Sequence, residues 1–159
     1  MKKLWAPWRS KFIYSRKKKG CIFCAAKNAK SQEKHFVVKK TKSSFSILNI
    51  YPYNTGHMMV APKRHVSRLD LLAKAETSDL MALVNKTTKA LDKLLKPKGY
   101  NIGVNIGAAA GAGFPGHVHI HIVPRWNGDT NFMPVLSETK VISESLDSLY
   151  ERLIKNEKK

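Results

Sequence analysis

The run His117-Val-His-Ile-His-Ile-Val-Pro124 limits this chain more than any other feature. Side chains alternate across a β-strand, so His117, His119 and His121 share one face while Val118, Ile120 and Ile122 share the other. Successive imidazoles on that face stand about 6.5 to 7 Å apart, from two strand rises of about 3.3 Å. Adjacent rings at that spacing can serve one substrate or one metal ion. Each ring nitrogen needs a partner if it is buried, so a role as inert core filler suits one histidine far better than three in register.

The rest of the chain reads as the frame for that strand. Strand-like segments occur at 36–39, 45–49, 57–61 and 100–106, where β-branched and aromatic residues gather, and the turn formers of Tyr51-Pro-Tyr-Asn-Thr-Gly56 predict a hairpin between the second and third. Pro62 closes the third strand and Pro124 the histidine strand. A short helix is expected over 25–33. Leu80, Leu83, Val84, Leu91, Leu94 and Leu95 form one stripe of an amphipathic helix over 77–95, capped by Thr77 or Ser78 and ended by Pro97 and Gly99. A last helix over 143–154 turns Leu146, Leu149, Tyr150 and Leu153 inward. The order of three strands, a long helix and two more strands predicts an α+β fold on an antiparallel five-stranded sheet with flanking helices. At 159 residues it reads as a single domain, 1–159, with a basic aromatic arm at 1–19 and a helical extension at 137–159.

Charge is the second unusual quantity. The chain carries 29 basic and 11 acidic residues, a net +18, and residues 1–42 alone hold a net +13. Trp5, Trp8, Phe12 and Tyr14 are interleaved with that charge, which leaves nucleic-acid binding or the processing of adenylated ends as a reading from a different class. No zinc-finger, helix-turn-helix or ribonucleoprotein motif accompanies it, and the same field would draw in any polyphosphate. No apolar run approaches a membrane span, and the basic start lacks the apolar core and cleavage site of a secretory signal, so a cytoplasmic chain without membrane contact is expected. Two cysteines exclude a disulfide scaffold. Cys21-Ile-Phe-Cys24 has the spacing of a metal half-site, with a redox pair as the competing reading.

Upstream of the histidines, Gly107-Ala-Ala-Ala-Gly-Ala-Gly-Phe-Pro-Gly116 offers small side chains whose backbone amides can approach phosphate oxygens, with Gly111, Gly113 and Gly116 the candidate contacts. Amide donors placed beside possible nucleophiles suit attack on phosphorus, because charge is stabilised where it develops.

Residues 117–123 resemble the signature of the histidine triad family, His-φ-His-φ-His-φ-φ with φ hydrophobic, at every position. Asn49, His57 in Gly56-His-Met-Met-Val, and Pro62-Lys-Arg-His65 are similar to the family's nucleotide-binding hairpin. Gly111 to Pro134, together with Leu4-Trp-Ala-Pro-Trp-Arg9, resembles its diadenosine tetraphosphate phosphorylase-like bacterial branch. The resemblance implies an enzyme that forms a covalent nucleotidyl-histidine on His119 from the α-phosphate of an adenine nucleotide or dinucleoside polyphosphate. Water or inorganic phosphate would accept the nucleotide in a second step. His121 would contact the α-phosphate or leaving group, Asn49 the ribose, and Ile47 an apolar wall against the base, with plain core an equal reading for Ile47. The resemblance also implies a homodimer, and a structural Zn2+ held by Cys21, Cys24, His65 and His117. A rival arrangement would let the triad itself bind a catalytic metal. The loop 107–116 lacks the glutamine carried by the family's dinucleoside-polyphosphate hydrolases, which favours the phosphorylase-like branch and leaves water against phosphate open. Hydrolysis of adenosine phosphoramidates is the nearest alternative activity.

Overall fold

A computed structural model describes residues 20–29, 31, 33–129, 142 and 144–157. The aromatic arm at 1–19 lies outside the described residues. Five strands form one antiparallel sheet: β1 (Val37–Lys40), β2 (Ser44–Leu48), β3 (Met58–Pro62), β4 (Gly99–Val104) and β5 (Ile120–Arg125), in spatial order β1-β2-β3-β5-β4. Three helices accompany them among the described residues: α1 (Ile22–Asn28), α2 (Lys74–Leu95) and α3 (Leu146–Glu157). The α+β architecture and the β2–β3 hairpin expected from the sequence are both present.

Strand alternation splits the core in two. Val38, Leu48, Met58, Val60, Ile120 and Ile122 face α2 and α3 and pack with Leu80, Leu83, Val84, Leu91, Leu149, Tyr150 and Leu153. The opposite face carries Val37, Phe45, Ile47, Met59 and Ala61 and is covered by Phe23 and Ala26 of α1. Asp79 of α2 ties the β1–β2 turn to the helix by accepting from the Thr41 hydroxyl at 2.6 Å, the Ser43 amide at 3.1 Å and the Ser43 hydroxyl at 2.9 Å. The Tyr150 hydroxyl donates to the Val37 carbonyl at 3.1 Å and so fastens α3 to β1. No helix among the described residues is long and apolar enough to cross a membrane.

The last helix runs Leu146–Glu157 rather than 143–154, and three further boundaries differ from the expected ones for a local reason. First, α2 begins at Lys74 rather than after Thr77 or Ser78. Glu76 reaches back to the Ala73 amide at 2.9 Å and is held there by Arg64, which supplies the first turn without a hydroxyl cap. Second, α1 runs Ile22–Asn28, earlier than 25–33, because the Cys21 sulfur caps it by accepting from the Cys24 amide. Third, β5 starts at Ile120 and passes through Pro124 to Arg125. Continuing the Val60–Ile120 register would bring Pro62 opposite Val118, where proline has no N–H to give, so residues 117–119 leave the ladder, with the Val118 amide on the Val66 carbonyl at 2.7 Å. At the other end the β3 ladder stops at Ile122 and only β4 flanks Pro124, an edge-like setting that tolerates proline.

The hairpin that delivers His57 depends on Gly56. Its φ of 76° is disfavoured for other residues, and a Cβ there would meet Leu95 Cδ1 at 2.6 Å and Pro124 Cγ at 3.1 Å. Gly128 has nearly the same φ, 75°, with nothing within 4 Å of its Cβ position. Urea unfolding should therefore separate the two effects. Gly128→Ala should cost about 1 to 2 kcal/mol of backbone strain, whereas Gly56→Ala should add about 1 to 3 kcal/mol of overpacking to a similar strain. Equal losses would show that the Leu95–Pro124 contact is immaterial.

Candidate functional site

The three triad histidines stand in a row along the α1 face of the sheet, and the backbone gives each a different task. His117 and His119 are buried and His121 is half-buried. The His119 Nδ1 lies 2.9 Å from the His117 carbonyl, which can only accept, so the Nδ1 carries the proton and the Nε2 is left as a lone pair. The His117 Nε2 lies 2.8 Å from the Pro62 carbonyl, so its proton is there and its Nδ1 lone pair points elsewhere.

His57 settles the third ring. Its Nδ1 accepts from the Tyr53 amide at 3.1 Å and faces the Asn49 side-chain nitrogen at 3.3 Å, so the proton of a neutral His57 sits on Nε2. That Nε2 is 2.9 Å from the His121 Nδ1, which must accept, and the His121 proton is thereby placed on its own Nε2. The site thus presents a lone pair on His119 beside an N–H donor on His121, with the two rings 4.8 Å apart at 69°. Burial keeps these rings neutral. It lowers His57 to about 3 and His121 to about 4, helped by the neighbouring imidazoles, and pushes His119 below its ordinary value despite the opposing hydrogen bond to the His117 carbonyl.

On the other side of His117 lies a second cluster. Its Nδ1 is 3.2 Å from the Cys21 sulfur and 3.8 Å from the Cys24 sulfur, and the His65 Nδ1 is 3.5 Å from the Cys24 sulfur. All four ligand atoms lie within 4.8 Å of one another. A tetrahedral zinc with bonds of about 2.3 Å to sulfur and about 2.05 Å to nitrogen sets sulfur and nitrogen about 3.6 Å apart, so these residues suit the ion. The Pro62 carbonyl completes the arrangement by holding the outer nitrogen of His117. Cys21, Cys24, His65 and His117 come together as expected, and His119 and His121 are not among them.

The remaining expected contacts fare differently. Asn49 is buried and its side chain is occupied within the hairpin, its oxygen accepting from the Tyr51 amide at 2.9 Å. Ile47 is packed into the core beneath α1. Within the glycine loop the Gly111 amide donates to the Ala108 carbonyl at 3.0 Å, so Gly111 shapes the turn rather than offering a donor. The stretch ahead of the triad faces the metal-ligating cluster, with a Gly116 Cβ position 3.7 Å from the His65 ring. Phe114 packs edge-on against Phe23 at 6.4 Å.

Several contributors escape a reading of the sequence. Tyr53 offers its backbone to His57 and its ring to His57 and His121, at 4.7 and 6.0 Å. Asn54, Arg125 and Asp129 bind the hairpin to the end of β5: the Asn54 amide donates to the Pro124 carbonyl at 3.0 Å and to Asp129 at 2.9 Å, and Arg125 clasps Asp129 at 2.7 and 2.8 Å. Only the position of Phe23 between the cysteines could have pointed to it.

Comparison with known proteins places this geometry. The HIT domain model matches residues 30–128. A Mycobacterium tuberculosis protein named AP-4-A phosphorylase is 36% identical over 154 residues, covering 92% of this chain and 79% of its own. A Schizosaccharomyces pombe protein named bis(5'-nucleosyl)-tetraphosphatase [asymmetrical] is 37% identical over 115 residues, covering 72% of this chain and 63% of its own. Among solved structures, a Zn-bound histidine triad family protein from Mycobacterium smegmatis superposes with a TM-score of 0.67 at 26% identity, covering 86% of this chain and 92% of that one. Since the family match runs through all five strands and the last of the three aligned histidines, the chain belongs to the histidine triad (HIT) domain family.

Proposed function

We propose that this chain transfers the adenylyl group of a diadenosine polyphosphate through a covalent nucleotidyl-His119. The observation that carries the reading is the 2.9 Å contact between the His119 Nδ1 and the His117 carbonyl, which leaves an unprotonated Nε2 as nucleophile. That nitrogen attacks the α-phosphorus. The bond from phosphorus to the bridging oxygen breaks and its electron pair leaves with the departing nucleoside polyphosphate. The His121 N–H, set by His57, hydrogen-bonds the phosphate oxygens or the leaving oxygen as charge gathers there. Inorganic phosphate or water then attacks the same phosphorus, and the phosphorus–nitrogen bond breaks to restore neutral His119.

Support for the substrate comes from the names of the relatives, a phosphorylase of diadenosine tetraphosphate and a tetraphosphatase. The 36% identity across nearly the whole chain favours phosphate as acceptor. In this reading the second N–H of the Asn49 side-chain amide, whose oxygen is taken by the Tyr51 amide and whose first N–H faces His57, hydrogen-bonds the ribose, and amides from the end of the glycine loop, at Gly113 and Gly116, cradle phosphate. Cys21, Cys24, His65 and His117 would hold a zinc ion in a closed shell of two thiolates and two imidazoles, which would supply no chemistry to the reaction and would hold α1 against the sheet. The free thiols suit a reducing, cytoplasmic setting. β4 is an edge strand whose Ile102 is 48% exposed, with Ile106 just beyond it 42% exposed, which supports pairing of two copies along it.

Incubation with diadenosine tetraphosphate, with and without inorganic phosphate, tests the reading. ADP and ATP formed only with phosphate indicate phosphorolysis, AMP and ATP without it indicate hydrolysis, and turnover confined to adenosine phosphoramidate would replace the substrate proposed. His119→Ala should lower kcat by at least about 10³-fold, abolish the nucleotidyl adduct seen by mass and keep its bound zinc. Retention of wild-type turnover by that variant would end the nucleophile assignment.

The pH dependence follows from the same rings. A base lowered in the folded state stays neutral well into the acid range, so kcat/KM should hold steady from pH 8 to below the ordinary histidine value of about 6.5 and fall only as His119 takes up a proton. An acid limb centred at or above that value would contradict a buried neutral nucleophile.

Metal analysis should find one zinc per chain, and Cys24→Ser should reduce its affinity by at least about 10-fold. Unchanged affinity would remove Cys24 from the ligand set.

A further inference from the structure

We propose that Phe23 is a positioning residue for the His119 nucleophile, fixing the plane of its imidazole and therefore the direction of the Nε2 lone pair. The inference rests on the nucleotidyl-histidine reading above and assigns a residue of that same site.

Phe23 sits between Cys21 and Cys24 in the first turn of α1, with its ring directed into the sheet and 1% exposed. The ring lies over two triad histidines at once, 5.1 Å from His117 at 43° and 4.7 Å from His119 at 34°. Its edges meet Phe45 of β2 and Phe114 of the glycine loop, each at 6.4 Å. Four neighbours on one ring leave little room to rotate.

His119 needs such a neighbour. Its hydrogen bond from Nδ1 to the His117 carbonyl restrains the ring on one edge, and the ring can still rock about its Cβ–Cγ bond within that contact. Rocking tilts the Nε2 lone pair away from the line of attack on phosphorus, and a reacting pair out of line loses rate. A flat aromatic surface against one side of the imidazole removes that freedom, and His121, edge-on at 4.8 Å, limits the other side. Leucine could fill much of the same space but has no plane to offer.

Phe23 also belongs to the segment that the metal cluster anchors. A seven-residue helix has little stability of its own. Cysteine ligation on both sides of Phe23 would fix the backbone from which its ring descends, so the cluster would reach the nucleophile by two routes: the His117 carbonyl and the Phe23 ring.

The test compares zinc-loaded Phe23→Leu and Phe23→Met with Leu153→Val, which trims an equally buried side chain in the core on the opposite face of the sheet. Melting curves and zinc content identify folded, loaded protein, and Met covers the case in which Leu does not fold. With diadenosine tetraphosphate as probe, the Phe23 variants should lose at least about 10-fold in kcat with KM within about 3-fold, while Leu153→Val keeps kcat within about 2-fold. Carbon-13 relaxation at Cε1 of labelled histidine gives the second readout. Wild type should show a His119 ring as rigid as the backbone, and the Phe23 variants should show a ring that rocks, while the nitrogen-15 pattern keeps the Nδ1–H tautomer set by the His117 carbonyl. Wild-type kcat in a folded Phe23 variant, a rise in KM alone, or an equally rigid His119 ring would overturn the proposal. Should wild type form no nucleotidyl adduct, the function proposed above fails by that result alone, and the ring relaxation still decides whether Phe23 holds the ring.

Discussion

A neutral imidazole has one proton and two nitrogens, and the chemistry available here depends on which nitrogen holds it. In this fold that choice is made by main-chain groups. The Pro62 carbonyl takes the proton of His117, the His117 carbonyl takes that of His119, and the Tyr53 amide, by donating to His57, fixes the proton of His121 one ring further on. Carbonyls and amides do not titrate and hardly move, so the pattern is as rigid as the sheet and hairpin that supply it. The consequence is an alternation along one line: a lone pair toward the thiols at His117, a lone pair at His119, a donor at His121. In the proposed reading, ligand, nucleophile and hydrogen-bond donor are one residue type distinguished only by backbone neighbours.

That dependence explains why the sheet is built as it is. The face packed on α2 and α3 is apolar and closed, which fixes β3 and β5 against each other and with them the carbonyls at Pro62 and His117. The other face is finished by α1 and the hairpin loop, both short and both secured by special means. The Cys21 sulfur, accepting from the Cys24 amide, and Phe23 hold α1. A left-handed glycine and the Asn54–Asp129–Arg125 network hold the hairpin. Breaking that network would cost the Tyr53 amide its aim at His57, and one ring later the proton of His121 would be free to move.

Much of this was legible in the sequence, and the limit falls at a definite place. The strand pleat alone puts three histidines on one face, the leucine stripe gives α2, and turn chemistry gives the hairpin, because these follow from local periodicity. What local periodicity does not carry is where a ladder stops or which distant group supplies a missing partner. Pro62 ends the pairing of residues 117–119 through a strand fifty-five residues earlier. Glu76 replaces a hydroxyl cap because Arg64 holds it in place. The same limit applies to Phe23, which reads as one more apolar residue until the fold lays it on His119. Gly111 marks the opposite error, a glycine that suggests a phosphate donor and instead closes its own turn.

The net charge of +18 acts on the site without entering its hydrogen bonds. Among the described residues, Arg64, Arg68, Arg125 and Arg152 are paired with Glu76, Asp70, Asp129 and Glu144, and Lys39 with Glu157. The unmatched excess sets up a field rather than a contact, and it raises the concentration of polyanions near the protein. The neutrality of His119 has a separate origin in the burial of its ring. In the proposed reading, drawing a polyphosphate in and keeping the nucleophile unprotonated are therefore carried by different parts of the chain, surface charge for the first and the closed α1 face for the second.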